Sequence, residues 1–313
     1  MPENIVFFFP GQGSQYVGMG RDLADQFPKV KDVFDKADEI CQKPISKLCF
    51  EGPLTELTLT ENLQPAITAV NLGCLIALNE SGIGPKVSAG HSLGEYAALV
   101  SAGVISIFDA LRLVQKRGEL MHREAHENPG GMAAVMGVDA DAVQEVIAQA
   151  REKDILDIAN YNTAEQIVIT GEKEPLHRAI QMIKERGGRA IPLKVSGAWH
   201  SKLMQGAVAE FKEFIDGIHF SRPECKVLFN ATARSETDPE VIKDIMANQL
   251  VSPVKWYDIM INAVKNGVNT FVEVGPKTVL SGLLKKVIPS DEDGKIYSVQ
   301  DVQSLRGFLK TVS

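Results

Sequence analysis

Gly90-His91-Ser92-Leu93-Gly94 follows a short apolar run, Lys86-Val87-Ser88-Ala89, and precedes a helix-like one, Glu95-Tyr96-Ala97-Ala98-Leu99-Val100. A G-x-S-x-G pattern in that setting predicts a sharp strand-to-helix turn with serine at its apex. The flanking glycines let the backbone fold back tightly, so the hydroxyl projects outward. The helix that follows aims its free N–H groups and its positive end at the same point. A serine held this way is a candidate nucleophile, with donors for an oxyanion beside it.

The surrounding pattern is that of an α/β chain. Ile5 to Phe9 is a continuous apolar run ending in Pro-Gly, which suits a strand buried on both faces of a parallel sheet. Helical patterns cover Arg21 to Ile40 and Pro65 to Asn79. Ser106 opens a long helix, with Asp109 as its reciprocal cap. After Pro129-Gly130-Gly131 the order is strand (Met132 to Met136), helix (Asp139 to Ala150), strand (Ile155 to Tyr161), strand (Gln166 to Thr170), helix (Glu174 to Glu185) and strand (Arg189 to Val195). That β-α-β-β-α-β order is ferredoxin-like. The expected architecture is a larger α/β domain, residues 1–127 and 197–313, with a mostly parallel sheet and an inserted ferredoxin-like subdomain at 128–196. Further strands are expected at Lys226 to Phe229 and Thr270 to Val274, and a solvated loop at Ser290-Asp291-Glu292-Asp293-Gly294.

The 313 residues are 44% hydrophobic and carry a net charge of −7, which argues against non-specific nucleic-acid binding. Cys41, Cys49, Cys74 and Cys225 have no C-x-x-C spacing and read as reduced, mostly buried thiols. The N-terminal stretch Met1 to Pro10 lacks the basic flank of a secretion signal, and no apolar run spans a bilayer. The expectation is a cytoplasmic monomer that binds neither membrane nor nucleic acid.

A serine nucleophile needs a base. Of the six histidines, His122, His126 and His177 sit in helical patterns with charged neighbours, and His219 lies near a turn. His122 and His126 lack the H-E-x-x-H pattern and a third ligand, so no metal site is expected. His91 adjoins Ser92, and its expected place is packing or hydrogen bonding beneath the site. His200 lies in the small-residue loop Ser196-Gly197-Ala198-Trp199-His200-Ser201, after a strand end, where α/β sheets place chemistry. Gly11-Gln12-Gly13 reads either as a plain turn or as a loop aiming the Gln12 N–H at an oxyanion. Arg117 falls on the apolar face of its helix. It therefore needs an anion: a buried carboxylate of the chain, or a substrate carboxylate gripped by the guanidinium fork.

Taken together, the pieces resemble the malonyl-CoA:acyl-carrier-protein transacylases of fatty-acid synthesis. The resemblance runs through Pro10-Gly11-Gln12-Gly13-Ser14-Gln15, Gly90 to Tyr96, Arg117, Asn160-Tyr161-Asn162 with Gln166, and Val195-Ser196 leading to His200-Ser201. Gln249 with Ser252-Pro253-Val254 and Glu273-Val274-Gly275-Pro276 complete it. It implies Ser92 as the acylated nucleophile, His200 as base, backbone N–H groups of Gln12 and Leu93 as oxyanion donors, and Arg117 as the partner of the malonyl carboxylate. It also implies that a main-chain carbonyl at Gln249 orients the histidine. The implied fold is α/β-hydrolase-like with a ferredoxin-like insertion. The implied substrates are malonyl-CoA and acyl carrier protein, with coenzyme A as product and no cofactor.

The stretch before His200 departs from commoner family patterns. Related polyketide acyltransferase domains that choose malonyl often carry a bulky aromatic there, so Trp199 fits exclusion of a branched methyl. Arg189, Lys194, Lys285 and Lys286 are candidates for docking an acidic carrier protein. A serine hydrolase shares the elbow, and a non-catalytic carrier-binding module would share the fold. Service in a polyketide pathway is the nearer alternative.

Overall fold

Ile5–Phe9 forms the first strand, and its five side chains alternate between two cores. Ile5, Phe7 and Phe9 pack into one, Val6 and Phe8 into the other. A strand buried on both faces needs apolar layers on both sides of its sheet. In the computed structural model, which describes residues 4–288 and 294–312, that strand is central. Met1–Glu3 of the N-terminal stretch and Ser290–Asp293 of the expected loop lie outside the described residues.

Nine strands are described: β1 (Ile5–Phe9), β2 (Val87–Gly90), β3 (Gly130–Met136), β4 (Leu156–Thr163), β5 (Gln166–Glu172), β6 (Arg189–Pro192), β7 (Lys226–Leu228), β8 (Thr270–Val274) and β9 (Lys295–Val299). The larger sheet has the order β7-β2-β1-β8-β9 and is parallel throughout. The smaller has the order β4-β5-β3-β6 and is antiparallel. Helices Ala140–Ala150 and Lys173–Glu185 pack on the smaller sheet and close its own core around Val143, Ile147, Ile180 and Ile183. This is the ferredoxin-like order expected from sequence, set in a parallel α/β frame.

The helices depart from expectation where proline intervenes. The pattern over Arg21 to Ile40 is two helices, Arg21–Gln26 and Pro28–Cys41, broken at Phe27. Phe27 is extended because the residue before a proline is kept out of helical geometry, and Pro28 then opens the next helix. The helix expected from Pro65 instead spans Thr60–Glu80, with Pro65 inside it. Burial of Leu63, Ala66, Ile67 and Val70 outweighs the hydrogen bond that proline forfeits. The strand expected to run from Arg189 to Val195 ends at Pro192, which has no N–H for the ladder. Edge strand β9 has no counterpart among the strands expected from the sequence. The long helix Ile107–Glu127 is capped as expected: the Asp109 N–H donates to Ser106 Oγ at 3.0 Å.

Parallel sheets gather their chemistry beyond the carboxyl ends of the strands. Here β1 and β2 run side by side, Phe9 opposite Gly90, and deliver the Gly11–Gly13 turn and the Ser92 turn to the same edge. No helix among the described residues is long and apolar enough to cross a membrane. Phe8 meets Trp256 edge-on at 5.0 Å and Phe271 at 6.0 Å. Phe8→Ala should therefore cost about 3–5 kcal/mol of unfolding free energy in a denaturant titration, with the midpoint falling and the slope unchanged.

Candidate active site

Ser92 stands at the start of a one-turn 3-10 segment, Ser92–Gly94, between β2 and helix Glu95–Ser101. Its φ of 50° lies in the left-handed region, a strained conformation for serine. The turn is pressed against β1. A Cβ on Gly94 would lie 2.0 Å from the Phe9 carbonyl oxygen, so only glycine allows the elbow to seat. Asn230 ties it down: Oδ1 accepts the Ser92 N–H at 2.6 Å, and Nδ2 donates to the Gly90 carbonyl at 2.7 Å.

His200 approaches from the loop after β6, also with left-handed backbone (φ 59°). Its Nε2 is 2.8 Å from Ser92 Oγ. Its Nδ1 faces two main-chain carbonyls, Gln249 and Ser252, each at 3.0 Å. Two acceptors there place the proton on Nδ1 and leave the Nε2 lone pair for the serine proton. Burial, reinforced by the nearby Arg117 charge, pushes the imidazole down to about 3, so it is neutral at physiological pH.

Arg117 is 1% exposed. Its Nε donates to Gln249 Oε1 at 3.1 Å, Nη1 to Gln64 Oε1 at 2.9 Å and Nη2 to Ser92 Oγ at 3.1 Å. The guanidinium carbon lies 5.8 Å from the Tyr96 ring centroid. Among the described residues no carboxylate pairs with it directly. Glu95, fully buried, is reached only through the Gln249 amide. The buried cation thus points at the Ser92 hydroxyl, with neutral groups in direct contact.

The turn after β1 forms the facing wall. A Cβ on Gly11 would meet the His91 carbonyl oxygen at 2.4 Å, and this close passage sets Gln12 beside Ser92 and Leu93 around one cavity of about 210 Å³. Arg117, His200 and Trp199 share it, as do Asn160, Asn162 and Gln166. Met121, Met132, Val168 and Leu280 make much of the rest apolar. Trp199 is 5% exposed and closes the wall next to His200. His91 lies beneath, its Nε2 2.9 Å from Asn162 Oδ1 and its ring against Trp256. His122, His126, His177 and His219 are exposed. Among the described residues no cluster of three or more His, Cys, Asp or Glu side chains could hold a metal.

The four candidate docking cations are all exposed. Lys194 sits between Leu193 and Val195, which line the cavity. Lys285 and Lys286 follow helix Val279–Leu284, whose Val279, Leu280 and Leu283 also line it. Arg189 begins edge strand β6 and does not line it. Gln64 and Asn230 belong to the site but have no sequence signal. Glu95 and Ser252 lie within the quoted motifs, yet the role of the Glu95 carboxylate and the Ser252 carbonyl appears only in the structure.

Residues 6–304 match the family model of the acyl transferase domain. The malonyl CoA-acyl carrier protein transacylase of Bacillus subtilis (strain 168) is 42% identical over 310 residues, covering 98% of this chain and 97% of that protein. The crystal structure of an acyl carrier protein S-malonyltransferase from Vibrio cholerae O1 superposes with a TM-score of 0.93 at 38% identity, over 98% of this chain and 100% of that one. A malonyl-transacylase solved in complex with its type II polyketide acyl-carrier protein gives 0.94 at 36% identity, over 99% and 100%. With these relatives spanning both sheets and every element of the site, the chain belongs to the acyl transferase family, among the malonyl CoA-acyl carrier protein transacylases.

Proposed function

We propose that this chain moves a malonyl group from malonyl-CoA to the phosphopantetheine thiol of acyl carrier protein through a malonyl ester on Ser92, in fatty-acid synthesis. The observation that carries the reading is Arg117, a buried guanidinium without a carboxylate partner, beside the nucleophile. A carboxylated acyl group supplies the missing anion, held by a charge-assisted and potentially bidentate contact.

In the first half-reaction His200 Nε2 takes the Ser92 proton as Oγ attacks the thioester carbonyl. The backbone N–H groups of Gln12 and Leu93 receive the developing oxyanion, and each such donor is worth about 10²–10³ in rate. Collapse of the tetrahedral intermediate breaks the C–S bond. The coenzyme A thiolate leaves with the proton returned from His200. In the second half the carrier thiol gives its proton to His200 and attacks the ester, and Ser92 regains the proton as it departs. The Gln249 and Ser252 carbonyls stabilise the imidazolium at Nδ1 in each half, where a hydrolase triad would place a carboxylate. That difference supports transfer over hydrolysis. The Trp199 wall narrows the acyl end against a branched methyl. All these groups come from one chain, in keeping with action as a monomer.

Arg117→Ala should lower malonyl transfer about 10²–10³-fold and acetyl transfer by no more than about 10-fold in steady-state assays. Equal losses for the two acyl groups would remove the carboxylate contact. Without carrier protein, the wild-type chain should release free malonate far more slowly than it loads carrier when carrier is present. Rapid release would instead favour a hydrolase. Lys194→Glu should raise KM for carrier protein about 3–10-fold and leave KM for malonyl-CoA unchanged; unaltered carrier kinetics would take Lys194 out of the docking face.

A further inference from the structure

Glu95 is buried with 0% exposure at the start of the helix behind Ser92, and it touches no reacting atom. Its carboxylate accepts two hydrogen bonds. Oε1 takes the Asn230 N–H at 2.6 Å, and Oε2 takes the Gln249 side-chain amide. Those two residues hold the rest of the site. Asn230 fixes the Ser92 N–H and the Gly90 carbonyl. The Gln249 Nε2 also donates to the Ser92 carbonyl at 2.9 Å, and its Oε1 receives Arg117 Nε at 3.1 Å.

From this network, and resting on the malonyl reading above, we infer that Glu95 is a positioning residue for acyl selectivity: its ionised carboxylate dictates which way the Gln249 amide points, and so aims Arg117 at the acyl group. An amide has one donor end and one acceptor end. An ionised carboxylate only accepts, so it fixes the Nε2 end of Gln249 toward Glu95 and leaves Oε1 for the guanidinium. A donor at position 95 reverses the demand. The Gln249 amide must then either turn its N–H group against Arg117 and its oxygen against the Ser92 carbonyl, or leave a buried donor unpaired. Either outcome frees the guanidinium from its aim while the main-chain carbonyl that holds His200 stays in place.

Protonation of Glu95 introduces the same donor. Burial raises its pKa to about 7, against the lowering effects of the Asn230 N–H, Gln249 and Arg117. Arg117 and Tyr96 are the charged and titratable groups whose fields act on it or feel its own. Burial raises the Tyr96 phenol, which stays neutral, and Arg117 stays charged. His200, at about 3, and His91, held below its ordinary value by burial, complete the ionisable set at the elbow. His200 therefore supplies no step near pH 7. The sign is fixed: the working carboxylate is present above about pH 7 and is lost as pH falls through it.

The test is the ratio of malonyl to acetyl transfer in wild-type chain and in Glu95→Gln, from pH 6 to pH 8. The ratio cancels the base step that both acyl groups share. In the wild type it should rise about tenfold across that range, as expected for one ionisation centred near 7. In Glu95→Gln it should be flat and about 10–100-fold below the wild-type value at pH 8. A flat wild-type ratio, or a variant that keeps the wild-type ratio at pH 8, overturns the inference. The wild-type series decides the matter even if the variant does not fold. A wild-type chain that transfers no malonyl overturns the function itself, and the inference with it; one that transfers malonyl at a pH-independent ratio overturns the inference alone.

Discussion

A buried guanidinium with no carboxylate in direct contact is the constraint around which this site is built. Isolation of a charge in a protein interior costs several kcal/mol unless polar groups surround it. Arg117 is given two amide oxygens, from Gln64 and Gln249, and the hydroxyl of Ser92. Those neutral contacts solvate the cation, and the Glu95 carboxylate is reached only through the Gln249 amide. The guanidinium therefore faces the Ser92 hydroxyl with no carboxylate against it.

The same charge shapes its neighbours. It helps hold the His200 imidazole neutral. It favours ionisation of Glu95 against the penalty of burial. Gln249 links these effects in one residue: its backbone carbonyl orients the imidazole, its amide oxygen receives the guanidinium, and its amide nitrogen meets the buried carboxylate. Two strained left-handed residues, Ser92 and His200, are tolerated because backbone-to-backbone packing of the elbow on β1 and the paired carbonyls at Nδ1 over-determine their positions.

Much of this was legible in the sequence for local reasons. The continuous apolar run Ile5–Phe9 and the glycines around Ser92 are short-range signals for a buried strand and a tight turn. Arg117 stood out because a charge on an apolar helical face demands an explanation. His200 stood out because it follows a strand end in a loop of small residues. The partners were not legible. Gln64, Asn230 and the Ser252 carbonyl lie far from Ser92 along the chain, and an amide or a carbonyl acquires meaning only when the fold brings it against a charge or an N–H. The break at Phe27 follows from Pro28, a local signal that outranks the helical periodicity around it, whereas the start at Thr60 depends on what the residues around Pro65 bury.

Uptake of a carboxylated acyl group by the Ser92 hydroxyl is the central event of the proposed transfer. Intact-mass measurement after brief mixing with malonyl-CoA, followed by peptide mapping, addresses this directly. The predicted result is a single added malonyl group on the peptide containing Ser92, which disappears when phosphopantetheinylated carrier protein is added. An unmodified chain, or a malonyl group carried on any other residue, would contradict it.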